Sequence, residues 1–460
     1  MRRNTLRTIT AVFIMIVVAV SAKAQNLRSA YFMENATHRH QLNPAFQTHT
    51  GYVSVPGLGA FQAEVGTNTF GLESFLYPRD ANVVTFLHES VSTAQFLNNI
   101  RPNNHLNLNV GISLLSAGFH TKAGFFTVDV SAKTYAGVSV PKDLFAILKE
   151  QGLEKSRSPY QINDFNSDAS AYGDISVGYS RKLDERFTVG GKLKLLTGFA
   201  DARLRSNVTA ALKKGVWVID VDGALDAAGV TPKYSEENPE KVEGIDNIAG
   251  FGINGMGAGI DLGTTFRSVD LFDGIAGNIF DNLTFSAAVT DLGFISWFSQ
   301  NTVNCALVGH FEYNESGDKK LDDILFENYT FEAEQSSSYK RMLRTTLNVG
   351  AKYSLLDDKI GIGLLSSTRF GAPQNWSELT LSGNFQPLNW LGVCVNYSFL
   401  YSHFKTFGWA LNFSPSWINF FIGTDYMMTK ISRKPNFYPM TNALNVNFGL
   451  SVPLAKNTAK

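Results

Sequence analysis

The feature that most constrains this chain is its last quarter, residues 344–453, where seven short segments in succession alternate large apolar side chains with small or polar ones. In the first, Leu347, Val349, Ala351, Tyr353 and Leu355 share one parity, and Thr346, Asn348, Gly350, Lys352 and Ser354 share the other. A period of two belongs to a β-strand whose two faces meet different surroundings. The same grammar runs through Ile360/Ile362/Leu364, Leu379/Leu381/Phe385, Leu391/Val393/Val395/Tyr397/Phe399, Phe407/Trp409/Leu411/Phe413, Ile418/Phe420/Ile422/Tyr426/Met428 and Leu444/Val446/Phe448/Leu450/Val452. The connections near 357–359, 386–389 and 414–416 are compact and carry Pro, Asn, Asp or Ser, so neighbours pair antiparallel as an up-and-down meander.

The composition of the two faces separates a soluble sandwich from a membrane barrel. One face is large, aromatic and almost free of charge; the other is rich in Gly, Asn, Ser and Thr, too small and polar to pack as a core. An apolar outside around a polar inside suits lipid around the wall and water within it, and closure satisfies every backbone hydrogen bond where no water can. The reading is an all-β fold, a transmembrane antiparallel β-barrel of about 14 strands with an N-terminal plug and a short helical insert. Trp376, Trp390, Trp409, Trp417, Tyr397, Tyr401, Tyr426 and Tyr438, near segment ends, are expected to form interfacial girdles.

The N-terminus agrees with export. Arg2, Arg3 and Arg7 precede an apolar run over 9–20 and an Ala22-Lys23-Ala24 cleavage site, so residues 1–24 read as a signal peptide. No later run is apolar and long enough for a helical span. Exported, weakly hydrophobic strands point to the outer membrane of a Gram-negative cell. Lys plus Arg and Asp plus Glu number 40 each, a balance that gives no reason to expect a nucleic-acid partner. The two cysteines, Cys305 and Cys394, fall on opposite parities of their strands, and no disulfide between them is expected.

Residues 25–50 are polar and irregular, and read as a periplasmic tail, a plug or part of the lumen wall; 51–460 form the barrel. Residues 51–66 hold the first strand. Residues 82–100 place Val84, Leu87, Val91, Ala94 and Leu97 at spacings of three or four, which predicts a helical insert. Strands are expected at 105–119, 124–140, 171–182, 186–199, 202–212, 216–221, 255–267, 283–295 and 302–313, with a short helix at 143–148 in a loop running to about 168. Two polar, acidic loops, 222–248 and 314–338, should face outward, and the turns at Asp184, Asp281, Asp357, Pro387 and Pro415 inward.

Candidate sites are few. His38, Arg39, His40, Asn43, Pro44 and Ala45 are the residues expected to plug the lumen, and Lys352, Arg369 and Asp425, on the polar parity of their strands, are candidate lumen residues. His38 and His40 lack the further ligands a metal site needs apart from Glu34, and hydrogen bonds from plug to wall are the simpler use. The glycines of 250–255 match a dinucleotide fingerprint only by letter, since a strand and no helix follows. The acidic loops lack calcium-loop spacing. His403 near Ser398 and Ser402 is thin ground for catalysis in a Ser-rich chain. Neither an enzyme nor a cofactor is expected.

These residues resemble a family of Bacteroidota outer-membrane proteins of unassigned function. The resemblance lies in Ala30-Tyr31-Phe32, in 38–46, and in blocks like Asp291-Leu292-Gly293-Phe294-Ile295-Ser296-Trp297, 363–370 and Phe407-Gly408-Trp409-Ala410. More loosely, Asn43-Pro44-Ala45 is similar to the motif near the N-terminal hatch of long-chain fatty-acid transporter barrels, a group that also includes shuttle barrels of the type IX secretion system. That resemblance implies a plugged lumen and a hydrophobic solute that leaves sideways through the wall. The expected partners are outer-membrane lipid and a hydrophobic or small solute taken up passively. The alternative is a non-transporting scaffold or secretion-linked component that holds secretion or surface proteins, with 82–100 and the acidic loops as its contact surfaces.

Overall fold

The computed structural model describes residues 28–69, 72–79, 82–234, 242–248, 252–269, 280–313, 330–334, 337–356, 358–371, 373–400, 404–427, 431–432, 438–439 and 443–454. The expected signal peptide, Tyr401, His403 and Met428 lie outside them. The wall strands are β1 (Tyr52–Ser54), β2 (Ala60–Thr67), β3 (Asn103–His120), β4 (Phe125–Pro141), β5 (Tyr160–Lys182), β6 (Phe187–Lys213), β7 (Gly255–Arg267) and β8 (Leu283–Trp297). They continue with β9 (Thr346–Leu355), β10 (Ile360–Arg369), β11 (Trp376–Leu388), β12 (Leu391–Leu400), β13 (Phe404–Phe413), β14 (Asn419–Thr424) and β15 (Ala443–Pro453).

From β2 onwards each strand pairs antiparallel with the next along this order, and β15 returns to pair with both β1 and β2, which do not pair with each other but each pair in turn with β3. Because β1 and β2 share one position in the wall, the result is a closed 14-strand antiparallel barrel. Closure removes the sheet edges that would otherwise leave a row of unpaired backbone groups.

The faces are as the alternation requires. On β9 Thr346, Asn348, Lys352 and Ser354 point inward and Leu347 and Val349 outward, and β10 to β13 repeat the pattern. Leu193, Ile362, Val395 and Phe407 stand exposed on the outside, so the exposed surface is apolar in a band around the wall.

The common stave of β1 and β2 is irregular. Residues 55–60, six in number, lie between Ser54 and Phe61, whose partners Ser451 and Phe448 are separated by Gly449 and Leu450 alone. The surplus chain bulges outward with Leu58 exposed and Gly57 in the left-handed region at φ 73°, which glycine tolerates without cost.

At one end the strands are joined by short turns, such as 121–124, 183–186 and 414–418. At the other, β5 and β6 run to 23 and 27 residues, well beyond the roughly 9–11 that cross a bilayer. Their projecting ends, with Val216–Ala228 and Thr302–Tyr313, build a cap around Phe96, Phe145, Tyr160, Trp217 and Phe311.

Several expectations are corrected here. Of 82–100 only α1 (Thr93–Leu97), capped by Ser92, is helical; Asn82–Thr85 is a strand paired with Leu76–Arg79, because Val83 and Val84 favour an extended backbone. Its apolar residues Val91, Phe96, Leu97 and Ile100 belong to the cap core. The helix expected at 143–148, α2 (Lys142–Glu150), is longer than expected, and β5 resumes by Tyr160 rather than near 168. The polar stretch 222–248 is largely strand: it continues to Ala228, and Val230–Tyr234 pairs with Val242–Ile248. Within 314–338, Thr330–Glu334 is a strand, paired with Thr302–Tyr313.

Two girdle residues point the other way. Trp376 is buried on the inward parity it shares with Glu378 and Thr380, and Tyr426 is fully buried. At Tyr426 the alternation ends because the backbone N–H groups of Asp425 and Tyr426 both donate to Asn445 Oδ1, at 2.7 and 3.1 Å, and turn the chain into the lumen. Both cysteines are free and buried.

Candidate functional site

The small inward face does not enclose water alone: residues 28–48 lie inside the barrel, folded around two 3-10 turns, Arg28–Ala30 and Thr37–Gln41. Glycines make the room. A β-carbon on Gly190 would meet the backbone of Pro44 and Ala45, one on Gly263 would meet the Asn43 side chain, and one on Gly363 would meet the Phe32 ring. Tyr31, Phe32, Leu42, Phe46 and Leu365 form a small apolar core between segment and wall.

Polar contacts fix the segment's register. Asn43 Nδ2 donates to the carbonyls of Thr264 and Ala287, at 3.2 and 3.4 Å, while its Oδ1 accepts from the Ala45 N–H at 2.9 Å. Asn348 donates to the Leu42 carbonyl at 3.0 Å, and Asn412 and Asn419 donate to that of Asn35. The Arg39 guanidinium stacks 4.2 Å from the Phe46 ring centre. His40 Nε2 is 3.2 Å from Asp129 Oδ1, and Lys192 Nζ donates to Asp129 Oδ2 at 2.8 Å. The His38 ring sits buried among Tyr52, Phe421 and His40. Burial, then His40, depress its pKa to about 3, so the ring is neutral. Burial disfavours the Glu34 carboxylate, but Lys352 and then Arg39 outweigh it and hold the group at about 2.

The three lumen candidates fall in different surroundings. Lys352 Nζ donates to Glu34. Asp425 accepts from the backbone N–H groups of Arg28 and Ser29 at 2.9 and 2.8 Å. Arg369 is 3.6 Å from Glu64 and borders the cavity described below.

The inward parity of other strands holds functional groups that the sequence reading passed over. Arg28 is bound by Glu64 and Glu378, each at 3.2 Å, and by the Tyr426 hydroxyl at 2.6 Å. Lys133 and Lys194 gather Asp174, Asp261 and Asp291. A β-bulge aims two of these: Ile260 pairs with Leu292 but Leu262 with Val289, and Asp291, at φ 57°, donates its N–H to Asp261 Oδ1. The signal was available, since Asp129, Lys192 and Lys194 share the parity of their small or polar neighbours.

Between this segment and the cap the lumen keeps a cavity of about 450 Å³, floored by Arg28, Gln41 and Leu42 and roofed by Trp297, Tyr339 and Arg341. Its size is that of small-molecule sites, and its wall mixes aromatic rings with ionised groups. Among the described residues no group of three or more His, Cys, Asp or Glu side chains is placed to hold a metal.

No curated protein matches the chain. Among solved structures it is similar to the toluene transporter TbuX of Ralstonia pickettii, at 8% identity and TM-score 0.35, with 94% of each chain covered. It is similar to the toluene transporter TodX of Pseudomonas putida, at 8% and 0.37, covering 95% of this chain and 96% of that one. A FadL homologue of Pseudomonas aeruginosa aligns at 9% and 0.39, over 94% and 98%. The profile of a family of unknown function, DUF5723, matches residues 44–425, and the chain belongs to that family.

Proposed function

We propose that this protein is an outer-membrane channel, exported by its signal peptide, through which a hydrophobic or small solute passes passively, with residues 28–48 as the plug and His38, Arg39, His40, Asn43, Pro44 and Ala45 among the residues that seat it. The observation that carries this reading is the pairing of an apolar outer band with a lumen filled at its short-turn end and hollow towards its long-loop end. The plug has little regular structure and is held by side-chain hydrogen bonds and ion pairs, so displacing it breaks no strand of the wall. The long loops would face outward and collect the solute. Release would follow either past the shifted plug or sideways at 55–60, where surplus chain makes the wall irregular although Val55 and Leu58 still bond to Leu450 and Gly57 to Leu114.

The scaffold alternative has less support: Val91, Phe96, Leu97 and Ile100 of 82–100 are used in the cap's own core. The test is single-channel conductance in planar bilayers, comparing the full chain with a variant lacking residues 25–50. Small current in the first and large current in the second is expected. Silence from both, with folding established by heat-modifiable migration, would sink the plugged pore.

A further inference from the structure

The guanidinium groups around the cavity are unevenly matched. Arg28 and Arg369 face the two carboxylates Glu64 and Glu378. On the far side Arg203 and Arg341 face Asp168 and Asp201, at 2.9, 3.5 and 2.9 Å. Each group of four sets two guanidinium groups against two carboxyl groups. Arg344 lies between them and has no carboxylate within 4.0 Å among the described residues.

What Arg344 does touch holds it in place without neutralising it. Its guanidinium lies flat over Tyr135, 3.6 Å from the ring centre, and its Nη2 donates to the Gln374 carbonyl at 3.2 Å. Nε and Nη1 have no acceptor. Of Arg369, a residue only 3% exposed, Nε likewise has no acceptor, while Nη1 stands 3.6 Å from Glu64 Oε1. Arg344 lies two residues before Thr346, which pairs with Arg369, its side chain rests against Gly371 two residues beyond Arg369, and both arginines border the cavity. A desolvated cation with unmade hydrogen bonds is costly, and a planar oxyanion matches the guanidinium fork.

We propose that Arg344, with Arg369 beside it, forms a binding site for a small organic carboxylate inside the barrel. The aromatic ring of Tyr135 and the polar walls suit a compact, water-soluble anion. As a statement about the solute this rests on the channel reading; as a binding site it stands alone.

Calorimetric titration of the purified full-length protein in nonionic detergent at pH 7 tests it, with sodium benzoate as probe and benzamide as its neutral isostere. Saturable benzoate binding, at least tenfold tighter than benzamide, is expected, and Arg344→Gln should weaken it at least tenfold. Since Arg344 has no carboxylate partner, that variant is expected to fold, as heat-modifiable migration verifies; Arg344→Lys, which keeps the charge but loses the fork, should fall between. No saturable benzoate binding, equal affinity for benzamide, or unchanged binding by Arg344→Gln would each overturn the site. Benzoate binding without current from the variant lacking 25–50 would instead sink the channel and leave the site standing.

Discussion

Lys352 Nζ, on the inner face of β9, donates to Glu34 Oε1 at 2.8 Å and so ties the N-terminal segment to the wall by a charge-assisted bond at the short-turn end. Glu34 is about one-third exposed, so the bond is partly screened and contributes about 1 kcal/mol. If the segment closes a channel as proposed, Lys352→Gln should raise the open-to-closed ratio about fivefold. Single-channel recording measures it, and the swapped pair Lys352→Glu with Glu34→Lys should restore most of the closed state.

The glycine seats predict a larger effect. At Gly190 an added β-carbon meets the backbone of Pro44 and Ala45, which cannot rotate away as a side chain could. Gly190→Ala should destabilise the docked segment by about 1–3 kcal/mol while the barrel still folds. Protease cleavage within 28–48 should become faster in the variant; a rate equal to that of the native chain would contradict the docking seen here.

Acid should loosen the N-terminal segment. His38 is held at about 3 against an ordinary value of 6.5, so between these pH values the released segment binds a proton that the docked one does not. Docking stability from His38 is therefore full above about pH 6.5 and falls with acidification. Glu34, held at about 2 against 4.5, adds the same sign lower down: its contribution is full above 4.5 and is lost as pH falls towards 2. Under the proposed channel reading, conductance should rise between pH 7 and 4. His38→Phe, which suits the surrounding Tyr52 and Phe421 rings, should flatten the upper part of that rise.

Removing Arg28 leaves Glu64 and Glu378 close together and buried. Arg28→Ala should cost about 3–5 kcal/mol, as expected when one partner of a buried ion pair is lost. Urea-driven release of the segment, followed by proteolysis, reads this, and the triple change with Glu64→Gln and Glu378→Gln should recover part of the loss.

The outer band can be probed by a single charge. Val395 stands exposed in the middle of β12, and an arginine there should cost about 2–4 kcal/mol of folding stability in a bilayer. An equal stability in lipid for the native chain and Val395→Arg would remove the membrane from the account of this fold.

The alternation of β9 to β13 was enough to predict strands, their pairing sense and which face is which, because a period of two is local and each strand repeats it. The same rule already placed Lys352, Arg369 and Asp425 on the inner face, and it would have placed Trp376 there too had parity been weighed above the preference of tryptophan for interfaces. Periodicity failed where tertiary contacts override it. Tyr426 turns inward because Asn445, about twenty residues away, takes its backbone N–H. Most of 82–100 is not helical because Val84, Phe86, Val91, Phe96, Leu97 and Ile100 answer to a core shared with α2 and the projecting ends of β5 and β6.

By itself, then, the sequence determined a closed antiparallel barrel with an apolar outside, since unpaired strand edges and polar backbone cannot face lipid. Only the tertiary structure decided what occupies the inside. Gly190, Gly263 and Gly363 read as mere small residues until Pro44, Asn43 and Phe32 are brought against them from more than a hundred positions away. Ion pairs such as Arg28 with Glu378 depend in the same way on ring closure, which sets distances that no local pattern encodes.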